Sequence, residues 1–495
     1  MEVILFILLG LLGFLCWMDT RKPSGFPPGP VWLPVVGNFP QVLRLRRSLN
    51  HYHKIWQQLN QKYGSIVGLR LGRDRLIVIS GWEAIREFYS RPEFDGRPDG
   101  FFFRVRSFDQ RLGLVFTDGH PWEIQRRFCM TTLKQLGFGR CSMVDHIERE
   151  AAEMVKHLWS LNEKDGWIYN HNVFDIGVIN VLWTLMAGRR YDLKDERLNT
   201  LMRLIHETFK IIDMSGGILN QFPQIRHILP TLSGYRPLVD AFKPLWDFLR
   251  ETIDEIRQTA SGESTSLIQA YVKELETCGK AKSTFSPEQL LALCLDMFQA
   301  GSETTSNTLG FALIYMLRYP QVASRVRKEL DVAVGVESLP KLKHRSLLTY
   351  TEAVLCEVMR CCNVAPLAIV HRALETVHFR GFCIPKDTLA LVSLYSLHHD
   401  DAVWQTPEEF RPERFLDRRN QLMNREGFLP FGSGKRRCMG ENLAKSSLLV
   451  FFATFMYTFE MRLADDDSTK LPDLEGLDGI TLSPKPYRIV LSKRN

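Results

Sequence analysis

The ten residues FGSGKRRCMG, Phe431 to Gly440, decide how the chain is read. One thiol, Cys438, stands in a loop with Gly432, Gly434 and Gly440, which permit tight positive-φ turns or a close approach to a flat ligand. A helix-like run follows from Glu441. Lys435, Arg436 and Arg437 directly precede the cysteine, and a helix N-terminus follows it. Both favour an anion, so the expected form of Cys438 is a thiolate, the form that binds metal.

Taken alone, an isolated cysteine is most often a small buried hydrophobe. Zinc would need a second Cys or His at ligand spacing within the loop, and none is there. A phosphate-binding loop would need Ser or Thr after Lys435. As a set, Phe431, Gly434, Arg436, Cys438 and Gly440 resemble the haem-binding signature of the cytochrome P-450 monooxygenases. The resemblance implies haem b with Cys438 as its axial thiolate. It also implies a mainly α fold: a helix-rich triangular prism with small β-sheets and a long central helix over the haem.

Working outward, 495 residues without an evident linker suggest one large catalytic domain, residues 39–495. A net charge of +7, spread along the chain, gives no reason to expect a nucleic-acid partner. Ten cysteines without repeated spacing suit a reducing compartment. Val3 to Met18 is uncharged and apolar, slightly short of the ~20 residues that cross a bilayer squarely. It lacks a basic N-terminal flank and a small-residue cleavage site, so residues 1–20 are expected to be a retained transmembrane anchor. Arg21 and Lys22 beyond it predict a cytoplasmic body. Residues 21–38, with PSGFPPGP at Pro23–Pro30, form an extended, stiff hinge. Anchor and hinge resemble those of microsomal members of the family, which implies the endoplasmic reticulum membrane with the catalytic domain on its cytoplasmic face.

Ile66–Leu71 and Leu76–Ile79 predict a hairpin, and Trp82–Tyr89 a helix. Residues 121–360 are mostly helical in pattern, with loops at Ser261–Ser266 and Gly279–Ser283. Ser286, Pro287 and Gln289 make a helix start, with a capping hydroxyl, a first-turn proline and an N3 amide. The helix runs to about Leu317 and spans roughly 45 Å. In its middle stands AGSETT, Ala300 to Thr305. The small Ala300 and Gly301 admit something pressing on the helix, and Thr304 shares a face with Ala300.

AGSETT resembles the family's oxygen-activation motif. That implies Thr304 as the hydroxyl bonding the reacting oxygen and its water, and Glu303 as the acid feeding protons to it. Glu357, Arg360 and Arg414 resemble the family's buried Glu-Arg-Arg cluster; without the resemblance Glu357 and Arg360 would pass as a surface pair. Trp122, Arg126, Arg97, His371 and Arg436 resemble its haem-propionate contacts. Arg127, Lys134, Lys435 and Lys445 would form a basic proximal face for an acidic flavoprotein, an NADPH-cytochrome reductase, with cytochrome b5 as a second donor. Substrate walls are implied at Phe101, Phe102 and Phe103, at Phe298 beside Ala300, at Val364, Leu367 and Ile369, and at Ile480 and Leu482. These side chains are apolar, with no evident ion, so a lipophilic substrate is expected.

The resemblance thus implies insertion of one oxygen atom from O2 into a lipophilic substrate, by hydroxylation or epoxidation, with electrons from NADPH through the reductase. In overall texture, including Asp213–Asn220, the chain is most similar to arthropod microsomal members that epoxidise methyl farnesoate. The alternatives are a steroid, fatty-acid or xenobiotic hydroxylase, a family member that rearranges peroxides or dehydrates oximes without a reductase, and a non-enzymatic haem- or lipid-binding membrane protein.

Overall fold

A computed structural model describes residues 2–139, 141–170, 172–211, 217–259, 264–277, 284–335, 338–464 and 471–494. The expected loop Gly279–Ser283, the first residues of Ser261–Ser266 and residues 213–216 lie outside the described residues.

Helices dominate and strands gather near the ends of the chain. In order, the elements that place the site are α1 (Glu2–Asp19), β1 (Ile66–Leu71), β2 (Asp74–Ile79), α2 (Gly119–Gln135), α3 (Asp175–Ala187), α4 (Glu196–Ile211), α5 (Tyr235–Thr259), α6 (Pro287–Arg318), α7 (Thr349–Cys362), β3 (His371–Arg372), β4 (Leu389–Val392) and α8 (Glu441–Thr458). The hairpin forms with Leu71 opposite Asp74 and Gly72 turning at φ +60°. It continues into a sheet of order β1-β2-β4-β3, in which β2 and β4 run parallel. A smaller sheet joins Ile168–Tyr169 to Arg488–Lys493 and Phe459–Leu463.

The spine is α6, 32 residues and about 48 Å long. It packs against α3, α5, α7 and α8 and is buried along most of its length, so it can be apolar on nearly every face. Ser286 Oγ accepts from Gln289 N at 3.0 Å, as the cap requires. The Gln289 amide, expected to help at the same helix end, instead holds the backbone of Gly113 through bonds of 2.9 and 3.3 Å.

On α7, Glu357 takes both Arg360 bonds at 2.8 Å, the Arg414 Nε bond at 3.2 Å and the Arg411 amide at 2.9 Å. All three charged side chains of the cluster are buried. Burial, the largest effect on Arg360, pulls its pKa down, and the bonds to Glu357 more than offset it. The cluster is an interior clasp between α7 and the Pro412–Phe415 turn, unlike a surface pair.

The apolar side chains of α1 stand open to the surroundings, Val3 at 71% and Phe6 at 74% exposure. Its 18 residues rise about 27 Å, under the ~30 Å hydrocarbon thickness, and among the described residues no helix is long and apolar enough to cross a membrane. Its last residue is fixed. Arg70 of β1 binds the Asp19 carbonyl at 2.5 Å and its two carboxylate oxygens at 2.9 and 2.7 Å. The proline segment after it is extended but docked. Phe26 is buried edge-on to Trp32, and the prolyl carbonyl of Pro28 accepts from Gly68 N at 2.7 Å. A side chain at Gly29 would meet Gly68 O at 2.1 Å, so glycine is what allows this contact.

Candidate active site

A cavity of about 420 Å³ lies between α6 and the Phe431–Gly440 loop. It brings together Ala300, Gly301 and Thr304 from α6, Trp122 and Arg126 from α2, Arg97, His371 from β3, and Phe431, Arg436 and Cys438 from the loop. These residues lie up to 341 positions apart in the chain (438 minus 97), so the fold assembles the site.

The loop is shaped as its glycines suggest at two of three places. Gly432 and Gly434 have φ +67° and +68°, and a side chain at Gly434 would strike Tyr89 O at 2.4 Å. Gly440 has φ −88° and serves as the residue before α8. Cys438 N donates to Phe431 O at 3.0 Å, which folds the thiol back toward the cavity. The side chain is exposed, but what it is exposed to is this enclosed space.

The expectation that neighbouring cations hold Cys438 as a thiolate is not met by the protein alone. Burial pushes its thiol up, and that outweighs Arg126 and Arg437. The basic residues are engaged elsewhere: Lys435 with Glu123 at 2.6 Å, Arg437 with Glu441 at 2.5 Å, and Arg436 with the carbonyls of Asp95 and Thr117, both at 2.9 Å. Deprotonation then falls to a bound metal, since a coordinating thiol loses its proton outright.

On the other wall, among the described residues, no carboxylate is bonded to the guanidinium groups of Arg97 and Arg436. Arg97 Nη1 bonds only the carbonyls of Ile369 and Val370, at 2.9 and 3.0 Å, and its buried Nε has no partner. Arg436 likewise has only carbonyls, and its guanidinium lies 3.7 Å from the Trp122 ring. Burial, then mutual repulsion, drops Arg97 to about 9; burial brings Arg436 to about 10. A buried cation at Arg97 and a half-buried one at Arg436, both pulled down by loss of water, call for anions between them. A flat group with two carboxylates and a soft metal fits this donor set, so the residues suit haem.

His371 needs a further condition. Its Nδ1 faces Phe94 O at 2.7 Å and must carry the proton there. Burial, then Arg97, holds the ring far below its ordinary pKa, so it can donate to a carboxylate from Nε2 only once an anion arrives.

On α6, Thr304 faces the cavity and donates to Ala300 O at 3.0 Å. This is the back-bonding that loosens a helix locally. What presses on the helix at Gly301 is Leu182 of α3; a Cβ there would lie 2.3 Å from its methyl. Glu303, about 100° further round, is buried behind the wall. Its Oε1 accepts from Thr481 at 2.9 Å and Asn307 at 3.3 Å, and pairs with His206 at 3.3 Å.

Of the expected substrate walls, Phe102, Phe103, Val364, Ile369 and Ile480 line the cavity. Four do not. Phe298 is two residues before Ala300, so it points the other way and packs against Trp183 and Phe248. Phe101 meets Tyr235 and the Arg226 guanidinium. Leu367 belongs to the core under the sheet, and Leu482 to the core around α6. The wall is also less uniformly apolar than expected, because Arg106 and Asp296 form a buried ion pair on it. Asp296, four residues before Ala300 on the same helix face, could have signalled a charge facing the cavity, but not its partner Arg106. His206 gave no local signal, since it meets Glu303 only through folding.

A helix-rich fold in which Cys438 opens under a cationic wall fits a haem-thiolate protein. A model of the cytochrome P-450 family matches residues 27–491, and the chain belongs to that family. It is a monooxygenase whose cofactor is haem held by thiolate, acting with O2, a substrate and a redox partner. A farnesoate epoxidase of Bombyx mori is 40% identical over 97% of this chain and 96% of its own. The Drosophila melanogaster protein named probable cytochrome P-450 303a1 is 34% identical over 96% of each. Cytochrome P-450 2J2 of Homo sapiens is 33% identical over 98% of this chain and 95% of its own.

Proposed function

We propose that the protein oxidises an isoprenoid acid or its ester, by epoxidation of an alkene. The observation that carries this is the apolar cavity over Cys438 in a chain 40% identical to a farnesoate epoxidase. Bound haem would supply the activation of O2. The protein's own residues do the rest. Cys438 would ligate the haem, and Arg97, Arg126, Arg436, Trp122 and His371 would receive its carboxylates. Phe102, Phe103, Val364, Ile369 and Ile480 exclude water and hold the hydrocarbon. Thr304 orients the water that gives protons, and Glu303 is their acid. Electrons come from NADPH through a cytochrome reductase docking near Arg127, Lys134, Lys435 and Lys445, with cytochrome b5 as a second donor.

The protein sits on the endoplasmic reticulum membrane by its N-terminal segment, residues 1–20, with residues 39–495 on the cytoplasmic side. The open apolar surface of α1, followed by Arg21 and Lys22, supports this placement.

The test is spectral titration of the haem-loaded protein with farnesoate, its methyl ester, a steroid and a fatty acid, followed by product analysis with reductase and NADPH. Tightest binding and an epoxide from farnesoate or its ester are expected. Turnover confined to the steroid or fatty acid would replace this substrate class.

A further inference from the structure

Glu303 has no place on the cavity wall, yet one of its hydrogen-bond partners does. Thr481 Oγ1 donates to Glu303 Oε1 at 2.9 Å, is itself buried, and lines the cavity. The bond of Thr304 Oγ1 runs instead to Ala300 O. Behind Glu303 the contacts continue inward. His206 of α4 sets Nδ1 3.3 Å from Glu303 Oε1 and Nε2 2.6 Å from Asp175 Oδ2, and Ser306 closes on the other Asp175 oxygen. A ring with a carboxylate at each nitrogen donates to both only as imidazolium. The two Glu303 oxygens are unequal: Oε1 accepts from Thr481 and Asn307 and faces His206, while Oε2 is buried with no partner among the described residues. Oε2 is therefore the atom left to carry a proton.

We propose that Thr481 is the hydroxyl through which Glu303 exchanges protons with the cavity, with His206 as the positioning residue behind it. This rests on the reading of Glu303 as the acid. Once the carboxyl rotates to set its protonated oxygen against Thr481, Glu303 gives its proton to Thr481 Oγ as the Thr481 hydroxyl passes its own to water in the cavity. Thr481 ends neutral and Glu303 ends as a carboxylate beside the imidazolium of His206, which stabilises it. A hydronium ion of the solvent then returns a proton to the carboxylate and leaves as water. Burial raises the Glu303 pKa by more than the bonds from His206 and Thr481 lower it, so the carboxyl beside His206 can take up the proton it passes on.

Thr481→Val keeps the shape of the side chain and removes the hydroxyl, while Thr481→Ser restores it. In the haem-loaded enzyme with reductase, NADPH and farnesoate as probe, Thr481→Val should raise peroxide released per NADPH roughly tenfold. That is below the ~10²–10⁴ of a wholly lost proton-transfer group, because water partly stands in. Thr481→Ser should return it to the wild-type ratio, and farnesoate binding should hold in both. Without any substrate, the infrared band of a protonated carboxyl, identified by its loss in Glu303→Gln, should shift in Thr481→Val. Wild-type coupling and an unmoved band in Thr481→Val overturn the proposal, as does weaker farnesoate binding at unchanged coupling, which marks a wall residue. If Glu303→Gln uncouples while Thr481→Val does not, the acid stands and this path falls. If Glu303→Gln leaves coupling intact, the acid itself is wrong and the path falls with it.

Discussion

The guanidinium groups of Arg97, buried, and Arg436, half-buried, are bonded to carbonyls alone, and loss of water lowers the ionisation of each. Cys438 stands in the same position, its thiol raised by burial until a metal takes the proton's place. Cys438→Ser should accordingly give a protein whose reduced carbonyl adduct lacks the red-shifted Soret band of thiolate ligation and which shows no NADPH-driven product. Full turnover would refute the ligand assignment. Thr304→Ala should leave substrate binding in place and divert electrons to peroxide several-fold, measured as peroxide formed per NADPH; an unchanged ratio would remove Thr304 from proton delivery. At this scale the Ser286 cap was legible from its neighbours and the places of Cys438 and Thr304 on the cavity from their motifs, whereas the ionisation of Cys438 was not, because burial outweighs the adjacent cations. Phe298 could have been placed too, since two residues on a helix from Ala300 is the far side. Arg106, His206 and Thr481 were not legible, because partners 190, 97 and 178 positions away define them.

At the scale of elements, two buried charge groups tie helices together. Glu357 clasps α7 to the Pro412–Phe415 turn and accepts from four nitrogens. Glu357→Gln keeps the volume but leaves Arg360 and Arg414 without an anion, at about 3–5 kcal/mol. Denaturant unfolding should show that loss with no change in substrate preference among the surviving molecules; a cost near zero would make the clasp dispensable. His206 joins α4 to α3 and α6, facing Asp175 and Glu303. Burial lowers its pKa first, but the two carboxylates outweigh burial and raise it from 6.5 to about 10. The raised value means that its stabilisation is complete below pH 6.5 and is lost as pH rises toward 10. The Tm advantage of wild type over His206→Gln should shrink across that window. A constant difference from pH 6 to pH 10 would mean that the ring is not charged in the fold.

Across the whole molecule, the sequence pattern located the helical mass, the hairpin and the apolar N-terminal stretch, because periodicity and turn residues are local signals. It did not reveal that the proline segment would dock, since Phe26 and Gly29 acquire their roles only from Trp32 and Gly68. Nor could it show that Arg70 would hold Asp19, 51 positions away. That last joint bears on how the protein is best prepared in water. Trimming the greasy leader to aid purification is an obvious step, and where the cut falls decides the outcome. A chain starting at Asp19 retains the carboxylate for Arg70, whereas one starting at Arg21 strands a nearly enclosed guanidinium. The longer of the two should melt at higher temperature, and equal melting points would show the joint to be idle.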